Sequence, residues 1–126
     1  MNRIRFKVQL TEESIIRYAN SIHSPLQRIG GVVIAPSTML VTFWKVENSP
    51  WLHTEEVWVH GSQQFYYHAP LLAGMNLECE LSLVKVESKN GRQGSLTLYT
   101  HSLICYHQGN PIAEAETVLI GRGDVK

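Results

Sequence analysis

Residues 32–44 read Val-Val-Ile-Ala-Pro-Ser-Thr-Met-Leu-Val-Thr-Phe-Trp, without one charged side chain. Pro36 suits the first turn of a helix, where its missing N–H would be unpaired anyway. Met39 to Trp44 then carry almost no polarity, so the pattern predicts a helix from Pro36, apolar nearly all round and stopped by Asn48, Ser49 and Pro50. Such a helix has no face for water and must be wrapped by other elements. The flanking sequence supplies the wrapping. Upstream, Ile4, Phe6, Val8 and Leu10 alternate with Arg3, Arg5, Lys7 and Gln9, the period of a half-buried strand. Thr11 can cap a helix with Glu12 and Glu13 in its first turn and with Ile15, Tyr18, Ala19 and Ile22 on one face. Pro25, Gly30 and Gly31 mark a loop. Downstream lie four strand-like segments, at about 56–67, 76–87, 95–107 and 111–121, with Asn90 and Gly91 as a hairpin signal between two of them. The expected architecture is α+β: one domain, residues 1–126, with a five-stranded antiparallel sheet curled round a central apolar helix. Its edge strands predict a dimer.

Charge and composition narrow the function. The chain has 126 residues, 44% of them hydrophobic, and 11 Lys plus Arg balance 11 Asp plus Glu. No net field recruits nucleic acid or an anionic membrane, so neither is an expected partner. Arg3, Arg5 and Lys7 stand where a signal peptide would need an apolar core, and no run reaches the ~18 apolar residues of a membrane span. The expected location is therefore the cytoplasm. Cys79 and Cys105, far apart in strand-like runs, read as buried free thiols rather than a disulfide. Neither the cysteines nor the six histidines have metal-ligand spacing, so no metal and no cofactor is implied. His101 and His107, six residues apart, lie ~20 Å from each other along a strand, and the scattered histidines are expected at the surface or at edges. Trp44, Trp51 and Trp58 are read as packing residues. Ten of the acids are glutamate and the single aspartate is Asp124, which excludes any mechanism needing an internal aspartate.

The stretch Val59 to Gly74 reads Val-His-Gly-Ser-Gln-Gln-Phe-Tyr-Tyr-His-Ala-Pro-Leu-Leu-Ala-Gly. With Tyr18, Ala19, Ile22, Ile34, Ala35, Pro36 and Thr38 upstream, it resembles the MaoC-like hotdog family. His60, Gly61, Gln63, Pro70, Leu71 and Gly74 are most similar to the non-catalytic amino-terminal half of double-hotdog enoyl hydratases, halves that also occur as separate subunits of (3R)-hydroxyacyl dehydratases. The resemblance implies a hotdog fold and a dimer with acyl thioesters, carried on CoA or acyl carrier protein, at its interface. It also implies fatty acid metabolism. In the catalytic members an aspartate and a histidine in the loop before the central helix activate water, while backbone N–H groups near the helix start polarise the thioester carbonyl.

Carried over by position, that catalytic pair is missing. Anchoring on Pro25 puts Ile22 at the aspartate and Gln27 at the histidine; anchoring on Tyr18, Ala19 and Ile22 puts Ser24 at the aspartate, with no histidine before Ile34. The substrate-binding residues expected from the resemblance are Ile34, Pro36, Ser37, Thr38, Met39 and His60, with the amides of Ser37 or Thr38 as carbonyl donors. His60 is the candidate general base. Some hotdog thioesterases use a central-helix glutamate, which directs attention to Glu47 and then Glu55 and Glu56. Two readings follow. One is a catalytically degenerate subunit that contributes an acyl pocket as a homodimer or beside an active hotdog partner. The other is an active thioesterase or hydratase with non-standard acid–base groups.

Overall fold

The computed structural model describes residues 2–52, 58–92 and 94–122. The alternating segments form strands because each has one apolar face to bury. They are β1 (Arg3–Gln9), β4 (Val59–Tyr67), β5 (Asn76–Gly91), β6 (Gly94–His107) and β7 (Asn110–Arg122), paired antiparallel in the order β1-β5-β6-β7-β4. One row across the sheet runs Phe6, Cys79, Cys105, Ala113 and Tyr67, and the next Ile4, Leu81, Leu103, Ala115 and Phe65. These rows face the core, where Leu77, Leu81, Leu103, Cys105 and Leu119 are buried. The β5–β6 hairpin pairs Gly91 with Gly94, just past the Asn90-Gly91 signal.

The helix after Thr11 forms as expected. α1 (Glu12–Ser21) is closed by a reciprocal cap, with Thr11 Oγ1 accepting from Ser14 N–H at 3.0 Å and Ser14 Oγ from Thr11 N–H at 3.2 Å. Ile15 and Ala19 are its buried face, while Ile22 stands beyond it, exposed. The loop read from Pro25, Gly30 and Gly31 is in fact a small hairpin, β2 (Gln27–Ile29) with β3 (Val32–Ile34). Gly30 and Gly31 make its two-residue turn with φ of 56° and 82°, the left-handed pair that such turns require.

The central apolar helix is the expectation that the structure corrects. After Pro36 the chain makes a turn and then two 3-10 segments, Met39–Thr42 and Val46–Asn48. Met39 N–H bonds to the Pro36 carbonyl at 3.0 Å and Val41 N–H to that of Thr38 at 3.1 Å, three residues back rather than four. Val41, Thr42, Phe43 and Trp44 are β-branched or aromatic, and lose side-chain freedom in an α-helix. Thr42 Oγ1 also donates to the Met39 carbonyl at 2.8 Å, and the Asn48 side chain takes the N–H of Lys45 at 2.9 Å. The demand for burial is met all the same: Met39, Leu40, Trp44 and Leu52 pack into the core cluster under the sheet. The class remains α+β, with α1 the only α-helix among the described residues. No helix among them is long and apolar enough to cross a membrane.

Candidate functional site

A cleft of about 450 Å³ opens beside α1. Its first wall begins where α1 ends. His23 adopts a left-handed conformation (φ 55°), and the N–H groups of Ser24 and His23 reach back to the carbonyls of Ala19 (2.9 Å) and Asn20 (3.2 Å). This helix-ending motif normally uses glycine. The reversal brings Ile22, Ser24, Pro25 and Gln27 onto the cleft. The second wall is held by the loop after β4, where Ala35 N–H bonds to the Leu71 carbonyl (2.8 Å) and Ala73 N–H to that of Val33 (2.9 Å). Pro70 and Leu71 thus run beside Ile34 and Ala35 along this wall.

The 36–38 turn forms the remaining side, and two phenols reach it. Tyr18 of α1 shares a 2.6 Å hydrogen bond with Thr38 Oγ1, and Tyr67 at the end of β4 donates to the Ser37 carbonyl. Burial, with Cys105 and Tyr18 nearby, pushes the Tyr67 phenol well above its ordinary range, so it stays a neutral donor. Among the described residues no acceptor pairs with the main-chain N–H of Ser37 or Thr38. The 3-10 turn that follows is too short to supply the dipole of a long helix, so any help to a carbonyl here comes from the amides themselves.

Of the residues singled out in the sequence, Ile34, Pro36, Ser37 and Thr38 line this cleft. Met39 is buried in the core and is not among the lining residues. His60 lies at the far end of β4 from Tyr67, roughly 20 Å along the strand. It lines a separate cavity of about 250 Å³ with Trp44, Lys45, Gln63 and Thr117. Glu47 is in the second 3-10 turn; His53, Glu55 and Glu56 fall outside the described residues. The three positions at which the resemblance puts the catalytic pair, Ile22, Ser24 and Gln27, all line the cleft. None of them can take or give a proton at neutral pH, and no carboxylate, imidazole, lysine or arginine is among the described lining residues. Among the described residues no three His, Cys, Asp or Glu side chains are grouped so as to hold a metal ion.

One histidine departs from its expected place. His101 is fully buried, with Trp51 Nε1–H donating to its Nε2 at 2.9 Å and its Nδ1 3.1 Å from the Tyr99 carbonyl. Trp44 and Trp51 lie against it, with ring centroids at 4.9 and 5.9 Å. Desolvation holds its pKa below the usual imidazole value, and the indole donor requires Nε2 to be unprotonated. The alternation of β6 did carry the signal, since His101 has the same parity as Leu103 and Cys105. Tyr67 was readable in the same way from Phe65, but its partner at Ser37 was not.

The family described as FAS1-like, dehydratase domain region, matches residues 4–115. A UPF0336 protein of Saccharopolyspora erythraea is 34% identical over 65 residues, and the chain spans only 40% of that curated relative's length. In the solved C-terminally truncated HadBC (3R-hydroxyacyl-ACP dehydratase) complex of Mycobacterium tuberculosis, a chain superimposes with a TM-score of 0.74 at 20% identity, covering 94% of each chain. The MaoC-like dehydratase of Rhodospirillum rubrum matches with a TM-score of 0.60 at 13% identity, over 98% of this chain and 92% of that one. At such identities the likeness is one of fold.

Proposed function

Since the chain belongs to the FAS1-like dehydratase-region family and has the MaoC-like hotdog fold, we propose that it is an acyl-thioester-binding subunit that has lost the acid–base pair. It contributes an acyl pocket either in a homodimer or beside an active hotdog partner, with the thioester on CoA or acyl carrier protein. The observation that carries this reading is the cleft, where Ile22, Ser24 and Gln27 stand at the positions at which water activation would need a carboxylate and an imidazole. The amides of Ser37 and Thr38, unpaired among the described residues, suit a thioester carbonyl. The absence of formal charge among the described lining residues suits an uncharged acyl group, because a carboxylate brought there would lose water without gaining a partner. The dehydratase complex among the structural relatives supports a partner subunit. An active thioesterase or hydratase acting through His60 is less well supported, because His60 lines a different cavity.

Thermal unfolding with a series of acyl-CoA ligands, alongside copurification from the native cells, tests the proposal. A ligand at a hundred times its Kd adds about 2.7 kcal/mol to stability. An unshifted melting temperature with every acyl-CoA and acyl carrier protein, together with a protein that always runs alone, would refute it.

A further inference from the structure

In an α-helix the turn after Pro36 would be fixed by the four-residue hydrogen-bond ladder behind it. Here the following segment is 3-10, whose hydrogen bonds are less well aligned and whose runs are short. The turn needs other anchors. The Ser37 carbonyl receives no main-chain donor among the described residues, and the Tyr67 hydroxyl takes that place. The next residue is held from the opposite side, through Thr38 Oγ1 and the Tyr18 hydroxyl. One phenol comes from α1 and the other from the end of β4, so consecutive residues of the turn are tied to two different walls of the cleft. Tyr67 can reach across because its cross-strand neighbour is Ala113, followed in the same row by Cys105, both small and fully buried.

Resting on the acyl-thioester reading, we infer that Tyr67 and Tyr18 are positioning residues that replace the missing central helix in holding the Ser37–Thr38 side of the cleft, and that ligand affinity depends on both hydroxyls. The phenols act through the turn: they set where its amides stand.

The test uses Tyr67→Phe and Tyr18→Phe, which keep each ring and remove only the oxygen. Tyr66→Phe is the control, since its hydroxyl bonds to Gln64 on the same strand, away from the cleft. Two quantities are read below the melting temperature: the Kd for butyryl-CoA by calorimetry, and hydrogen exchange at the amides of Met39 and Val41, which bond to Pro36 and Thr38. Loss of either hydroxyl should raise Kd about five-fold and speed exchange by a similar factor, with Tyr66→Phe changing neither. A Kd unchanged in either variant overturns the inference, whatever the exchange does. If the wild-type protein binds no acyl-CoA, the functional reading fails while exchange still decides the clamp: faster exchange in the two variants upholds it, and unchanged exchange overturns it.

Discussion

Replacing Trp51 with phenylalanine removes the only donor that meets His101 Nε2 among the described residues. His101 is fully buried on the inner face of β6, so its ring nitrogen cannot turn to water instead. An unsatisfied buried acceptor costs about 1–3 kcal/mol. For a domain of this length that corresponds to a fall in Tm of roughly 4–12 °C. The substitution also trims an indole ring stacked on the histidine, so the hydrogen bond must be isolated in a cycle with His101→Phe. There, Trp51→Phe should cost at least ~1 kcal/mol less than in the wild type. Protonation attacks the same contact. Because burial lowers the folded pKa of His101, the unfolded chain binds the extra proton first as pH falls. The stability it contributes is therefore fully present above the unfolded value of ~6.5 and is lost as pH drops below that. Urea titrations from neutral to mildly acidic pH should show this decline, and His101→Phe should flatten it. A Trp51→Phe protein that melts with the wild type, or equal costs in both backgrounds, would refute the reasoning.

Three further outcomes are expected. A Cβ at Gly121 would lie 2.8 Å from the Trp58 ring, which packs edge-on against Tyr99, whereas one at Gly61 meets the movable end of Ile120 at the same distance. Gly121→Ala should thus cost ~1–3 kcal/mol in urea unfolding and Gly61→Ala less, and the reverse order would count against this packing. Cys79 and Cys105 are buried with their sulfurs 3.5 Å apart, and the hydrogen bond with Cys79, then burial, pushes the Cys105 pKa far up, so an aromatic disulfide reagent should label neither until the protein unfolds. Prompt labelling of the native protein would contradict that burial. His60→Ala should leave the Kd for an acyl-CoA unchanged, because His60 lines another cavity; a ten-fold loss would place the ligand there.

The sheet was legible because each strand alternates apolar and polar residues over many positions, and a repeated pattern survives small errors at its ends. The apolar run at 39–44 announced its burial equally well, but not its conformation: hydrophobicity asks only that a segment be covered, while the 3-10 path came from β-branched residues and side-chain bonds to nearby carbonyls. The same limit applies to the site. Four cleft residues, Ile34, Pro36, Ser37 and Thr38, were reached through a resemblance carried by local motifs. His60 belonged to those motifs too, yet it stands with a different cavity.

By itself, then, the sequence determined the pairing faces of the strands, the cap of α1 and the want of an internal aspartate, all of which depend on residues near one another in the chain. Only the tertiary structure decided that Ile22, Ser24 and Gln27 share one cleft with Tyr67, and that a buried histidine packs against two tryptophans. Those contacts join segments dozens of residues apart. Which of them form is set by the fit of side chains in the core, which no local pattern specifies.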